Sequence, residues 1–357
     1  MGHQIGAVDR ISELPDFISH HIMSYLSTKE AAQTCLLSKR WNHLRTSFPI
    51  LDFDQIYFVG EYLATQEREY FSRREKRRFR GQINKFIRFA DASLLRFCEL
   101  KVSMQKFRLS MTLLDFEEDT SLLDKWIELA VVNEVKEFDF NFKMSRDKIY
   151  SLPGTILSAK FVTTLKLSGC NMELSSKTIR LHSLRKLSLD KVRIDEQLVQ
   201  KFISECPLIE DLFLSPSWHS KLFRISQAPK LKILTIDASS NFCYVQNVEI
   251  VAPSLQQCTI IFVKAACVID MAVCSDLKYV NLTDVYILDQ DFHNLISIFP
   301  LLEKLVVHKC AFLEGLTLSS KTKGVAVALP KNDEKRSKML QLLQNQVLAA
   351  LLERFQD

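Results

Sequence analysis

LRKLSL at residues 184–189 and IEDLFL at residues 209–214 carry apolar side chains at their first, fourth and sixth positions. In an extended chain successive side chains point to opposite faces, so the fourth and sixth share one face and leave the fifth on the other. Working outward, the same spacing returns at Val135/Phe138/Phe140, Val162/Leu165/Leu167, Leu231/Leu234/Ile236, Leu255/Cys258/Ile260, Leu277/Val280/Leu282 and Leu302/Leu305/Val307. The central residues, from Phe138 to Leu305, follow one another at steps of 22 to 27 residues. A segment that short cannot bury its apolar face alone, but stacked on its neighbours it closes a continuous core. The spacing therefore predicts a solenoid whose strands form a curved parallel sheet.

The returns between strands are of two kinds. Glu196 to Cys206 and Gln290 to Phe299 have helical spacing and each stops at a proline, Pro207 or Pro300, because proline disfavours helix in the residue before it. Residues 222–225 and 248–251 read as extended. The expected class is thus α+β, an α/β repeat with mixed helical and extended returns, over residues 98–320. Its period and its CPLIEDLFL and FPLLEKLVV segments resemble plant leucine-rich repeats. The asparagine of the general repeat is absent. Cys170, Val192, Val285 and Cys310 stand at its depth and are expected as buried hydrophobes, not reactive thiols.

In such strands the intervening side chains face the concave side. The candidate target-binding residues are Lys166, Ser188, Phe213, Thr235, Thr259 and Asn281, with Arg185 and Tyr279 flanking them. Their charges are mixed, which does not describe a nucleic-acid groove. Phe213 and Tyr279 are the candidate anchors, since aromatic side chains dominate interface energetics.

The rest of the composition narrows the function by exclusion. With 47 Lys+Arg against 42 Asp+Glu in 357 residues, the net charge of +5 is too small for a chain that coats nucleic acid. The nine cysteines have no CxxC pair, which excludes the usual zinc frameworks and a dense disulfide scaffold. A reducing compartment, cytoplasm or nucleus, is the expectation. The eight glycines are too dispersed for a GxGxxG or P-loop phosphate cradle, and HExxH, GxSxG and calcium-loop motifs are absent. No cofactor, metal or side-chain catalysis is expected. The most apolar stretch, Cys258 to Ser275, contains Lys264 and Asp270, so no membrane span is expected either.

Ahead of the repeats, DRISELPDFISHHIMSYLSTKEAAQTCLLSKRWNHLRTSF at residues 9–48 predicts three short helices. Pro15 suits a helix's first turn, and Asp16 complements the positive end of its dipole. Phe17, Ile18, Ile22, Tyr25 and Leu26 make an apolar stripe. Ser27 with Glu30 forms a capping box for a second helix through Leu37. Ser38 can cap a third, which carries Trp41 and Leu44 on one face. About forty residues cannot bury all this apolar surface without help.

This segment resembles the plant F-box, through Leu14-Pro15-Asp16, Ile22-Met23-Ser24-Tyr25-Leu26, Thr28-Lys29-Glu30-Ala31 and Leu37-Ser38-Lys39-Arg40-Trp41. The likeness continues into the LDFD segment, Leu51 to Asp54. The resemblance implies a substrate-receptor subunit of a Skp–cullin–F-box ubiquitin ligase, non-catalytic itself. A Skp-type adaptor would bind Leu14, Pro15, Ile18, Ile22, Leu26, Leu37, Ser38 and Trp41, with cullin and RING subunits reached through it. The repeats would hold an unknown target protein. A repeat scaffold outside any ligase is the competing reading.

The expected organisation is an F-box at 9–50, a linker with a leading helix at 51–97, the repeat array at 98–320 and an amphipathic helix or atypical tail at 331–357. Six of the eight residues from Arg73 to Arg80 are basic. The run reads either as a nuclear-import or nucleic-acid patch or as a solvated helix face.

Overall fold

The computed structural model describes residues 11, 13–59, 73–112, 116–143, 149–172, 178–215, 222–239, 247–262, 268–285 and 299–308. The expected return helix over 290–298, Cys310 and the expected C-terminal helix lie outside these residues. The chain divides into two compact units, Met1–Thr164 and Leu165–Asp357.

The first unit begins with α1 (Asp16–Met23), α2 (Thr28–Gln33) and α3 (Lys39–Thr46). Pro15 sits just outside α1 as its N-cap, with ψ 149°, instead of in the first turn. At α2 the Ser27 Oγ accepts from the Glu30 N–H, and Glu30 Oε2 accepts from the Ser27 N–H at 2.8 Å, the reciprocal box. The second helix does not run on to Leu37 but tightens into a 3₁₀ turn at Thr34–Leu36. Ser38 Oγ then accepts from the Trp41 N–H at 3.3 Å and starts α3. Met23, Trp41, Leu44 and Phe48 form the buried cluster of these helices, with Ile50 packed against it.

The chain passes directly from α3 into β1 (Ile50–Asp54), then through α4 (Gln55–Val59), α5 (Arg73–Glu99), β2 (Lys106–Thr112), α6 (Phe116–Val132) and β3 (Glu137–Lys143). The segment expected as a linker therefore contains the first strand of a sheet, and the basic run begins α5. Strands β1, β2 and β3 are parallel, with Leu51, Phe107 and Phe138 in one row and Phe53, Leu109 and Phe140 in the next. Both rows are buried. Edge-to-face rings cross the sheet, Phe53 to Phe107 at 6.2 Å and Phe107 to Phe140 at 5.5 Å. Helix α5 buries Ile83, Phe86, Ala90, Leu94 and Phe97, a stripe at helical spacing. It meets α6 where the Trp126 Nε1–H donates to Asp91 Oδ1 at 2.9 Å.

The second unit is the repeat array. Strands β4 (Thr164–Ser168), β5 (Lys186–Asp190), β6 (Asp211–Ser215), β8 (Ile233–Ala238), β10 (Gln257–Phe262), β12 (Tyr279–Thr283) and β13 (Lys304–His308) lie side by side in that order. Leu187, Leu212, Leu234, Cys258, Val280 and Leu305 pair in register as one buried row. Among the described residues the returns include α7 (Glu196–Glu205), capped by Asp195, and the short strands β7 (Leu222–Ile225), β9 (Asn247–Ile250) and β11 (Val268–Asp270). These three pair in parallel as a second sheet. Cys170, Val192 and Val285 are fully buried, at the depth expected. Tight left-handed turns follow several main-sheet strands, at Gly169 (φ 70°) after β4, Lys191 (φ 51°) after β5 and Asp284 (φ 54°) after β12.

Candidate functional site

Two surfaces emerge, one in each unit. On α1 the inward positions are Ser19 and Met23, so Phe17 and Ile22 turn outward, and Tyr25 just past the helix end is exposed beside them. Phe17 is 71% exposed, Tyr25 77%, and at the end of the 3₁₀ turn Leu36 is 85% and Leu37 55% exposed. Large apolar side chains this open mark a surface suited to a partner. An ion pair from Arg40 on α3 to Asp16 in the first turn of α1, N to O 2.5 Å, clamps the two helices that flank it.

The sequence-named adaptor residues divide by burial. Pro15, Ile22 and Leu37 are exposed, and Leu14, Ile18, Leu26 and Ser38 are half-buried. Trp41 faces inward. It is 2% exposed, in the core with Met23, Leu44 and Phe48, because its face of α3 is the one turned inward. The Ser38 hydroxyl serves as a helix cap. Phe17, Tyr25 and Leu36 were not among the contact residues that the sequence suggested. Their signal was present in the outward apolar stripe, but spacing alone does not tell which face of a short helix is turned out.

On the open face of the repeat sheet, Ser188, Phe213, Thr235, Thr259, Asn281 and Val306 pair strand to strand in one row. All are half-buried, as expected for side chains standing between those of neighbouring strands. Lys166 has the same alternation on β4. Tyr279 lies two residues from Asn281 on the same face, with the Lys304 ammonium 5.4 Å from its ring centre, a favourable cation–π placement. Arg185 is placed differently. It precedes β5 and pairs with Glu210, which also receives Lys232 at 2.8 Å. The hydrogen bonds from Lys232 and Arg185 lower the Glu210 carboxyl below its ordinary range, so Arg185 belongs to a rung of charges at the strand starts.

The first unit carries an equivalent row that the sequence reading overlooked. Asp52, Arg108 and Asp139 are register partners across β1, β2 and β3. Arg108 Nη1 donates to both Asp52 oxygens at 3.1 Å, and its Nε lies 3.9 Å from Asp139. The open face is therefore charged in this unit and mostly neutral along the middle row of the second.

Burial pushes the Cys170 thiol up to about 12; burial and the nearby Glu205 charge do the same for Cys206, and the fully buried Cys258 is also raised, which removes the thiolate that nucleophilic attack requires. Among the described residues no group of three or more His, Cys, Asp or Glu could hold a metal ion. Among them, too, no helix is long and apolar enough to cross a membrane.

Comparison with known proteins agrees with both halves of this geometry. Residues 11–50 match the F-box domain, and residues 99–313 match the family described as the At1g61320/AtMIF1 LRR domain. Among curated proteins, the chain is similar to the putative F-box/LRR-repeat protein At4g00320 of Arabidopsis thaliana. The two are 31% identical over 217 residues, 58% of this chain and 40% of the relative. F-box/LRR-repeat protein At4g14103 of the same plant is 28% identical over 254 residues, 70% of this chain and 61% of the relative. The F-box/FBD/LRR-repeat protein At5g56420, also from Arabidopsis thaliana, is 28% identical over 235 residues, 65% of this chain and 50% of the relative. The chain thus spans between two-fifths and about three-fifths of the length of these relatives. With the repeat family matched over more than half of its residues and the F-box directly ahead of it, the chain belongs to the plant F-box/LRR-repeat proteins.

Proposed function

We propose that the chain is the target-recognition subunit of a Skp–cullin–F-box ubiquitin ligase. Its F-box binds a Skp-type adaptor through Pro15, Ile22 and Leu37, extended by Phe17, Tyr25 and Leu36, with Leu14, Ile18, Leu26 and Ser38 at the margin. Cullin and RING subunits are reached through the adaptor. The open sheet face of the repeats, with Ser188, Phe213, Thr235, Thr259, Tyr279, Asn281 and Lys166, holds the protein to be modified.

The observation that carries this reading is the outward apolar stripe on α1 and the 3₁₀ turn, where Phe17, Tyr25 and Leu36 are each more than two-thirds exposed. A partner helix laid across such a strip removes its apolar surface from water, at roughly 25 cal/mol for each Å² covered. The contribution to ubiquitination is proximity. Binding a target on one surface and the ligase on another raises the effective concentration of target lysines near the charged conjugating enzyme, and no side chain of this subunit takes part in the transfer.

The test is capture of a purified Skp-type adaptor by the full chain and by an Ile22→Ala/Leu37→Ala variant. Capture by the parent and loss in a variant that melts at the parent's temperature support the reading. A folded parent that captures no adaptor overturns it.

A further inference from the structure

We propose that the half-open cavity lined by α2, α3, the start of β1 and α5 is a binding site for a small organic phosphate. The cavity measures about 320 Å³ and includes Arg45 and Arg96 in its lining, with no carboxylate among its lining residues. This volume falls in the range of small-molecule sites.

The two arginines make the electrostatic case. Arg45 Nε is buried and, among the described residues, has no hydrogen-bond partner, and no carboxylate among them forms an ion pair with the guanidinium. Burial first, and then the Arg96 charge, make the protonated Arg45 less favourable than usual, with Cys35 a smaller opposing influence. A half-buried guanidinium without a counter-charge has lost part of its hydration, which an anion in the same space offsets. A phosphate monoester supplies close to two negative charges for two guanidinium groups, and its oxygens match the arginine fork. A single carboxylate leaves one arginine uncompensated.

Hydroxyls and rings complete the site. Thr28 Oγ1 accepts the Asp52 N–H at 2.6 Å, which leaves its own proton available to donate. The Ser93 side chain also lines the cavity, whereas Phe89 and Phe97 supply apolar wall. Inorganic phosphate leaves those walls uncovered, so a phosphate that carries a ring is the better occupant. The site is separate from the apolar stripe of α1, and its success or failure leaves the adaptor reading untouched.

The test is calorimetric titration of the full chain, at fixed ionic strength, with phenyl phosphate, inorganic phosphate and benzoate. Saturable binding of phenyl phosphate is expected, with inorganic phosphate and benzoate each weaker by about tenfold or more, as loss of apolar cover or of a charge-assisted bond predicts. Arg45→Met and Arg96→Gln should each weaken phenyl phosphate by a similar factor. Arg96 is exposed, so its variant stays folded and keeps the test decisive if Arg45→Met does not fold. Absence of saturable binding overturns the proposal, and so does binding unchanged by Arg96→Gln. Benzoate or inorganic phosphate bound as tightly as phenyl phosphate also overturns it.

Discussion

Thr28, the first residue of α2, accepts the backbone N–H of Asp52 on its hydroxyl at 2.6 Å. Asp52 lies in β1, the edge strand of the first unit's sheet, and an open strand edge is a liability that a fold must cover. Here a helix of the F-box covers it. The F-box and strands β1 to β3 consequently belong to one compact unit. Thr28→Val keeps the shape and removes the acceptor, leaving the Asp52 amide unpaired at a cost of about 1–3 kcal/mol. Amide hydrogen exchange at β1 should accelerate in this variant while the strands of the second unit keep their protection. Unchanged exchange at Asp52 would show that the bond does not hold the edge.

Trp41 and Leu37 separate folding from contact. Trp41→Ala opens a hole among Met23, Leu44 and Phe48, and the loss of a large aromatic from a core costs about 3–5 kcal/mol. Leu37 is 55% exposed, and an exposed truncation of this kind stays within about 0.5 kcal/mol. Both variants should lose the adaptor. Only Trp41→Ala should also lose protection of α1 to α3 in hydrogen exchange. Equal protection in the two variants would place Trp41 back among the contacts.

The Ser27–Glu30 box predicts a dependence on acid. The backbone N–H of Ser27, and then its hydroxyl, hold the Glu30 carboxyl below its ordinary value of 4.5. A carboxyl lowered in the folded state contributes stability that is fully present above its unfolded value and is lost as pH falls through the folded one. Glu30→Ala, which removes the carboxylate that both Ser27 groups hold, should lower the stability of α2 by about 0.3–1 kcal/mol near neutral pH. The deficit should shrink once pH drops below the carboxylate range. Hydrogen exchange of α2 amides at pH 7 and pH 3 reads both arms, and a deficit of the same size at both values would remove the Glu30 charge from the account.

Much of this was legible in the sequence because the repeat spacing is set by burial. Leu187, Leu212, Leu234, Cys258, Val280 and Leu305 form a single in-register row in the structure, as their recurrence required. The first two strands obey the same rule, through Phe48/Leu51/Phe53 and Met104/Phe107/Leu109. They were missed because α4 and α5 separate β1 from β2, so that Leu51 and its partner Phe107 lie far outside the regular period. Strand β11 was hidden for another reason: three residues inside a long apolar stretch have no periodicity to show. The orientation of α1 was equally unreadable. A helix of eight residues with a buried Ser19 and an exposed Phe17 inverts the usual hydrophobic signal.

The middle row of the repeat sheet yields the prediction that bears most directly on target choice. Phe213, Thr235 and Thr259 are consecutive register partners, and none carries a charge. Thr235→Arg places a cation at the centre of this row, against its neighbours Phe213 and Thr259. A mutation on this half-buried, solvent-facing side leaves the buried row of Leu234 and Ile236 intact, so adaptor capture should persist. Capture of the target should fall, because an interface core depleted of charge does not accept an unpaired one. Arg185→Ala removes a group already paired with Glu210 and should change target capture far less. Proximity labelling of cells that express each full-length variant gives the comparison. If Arg185→Ala abolishes target recovery and Thr235→Arg does not, recognition is carried by the charges at the strand starts and not by the neutral row.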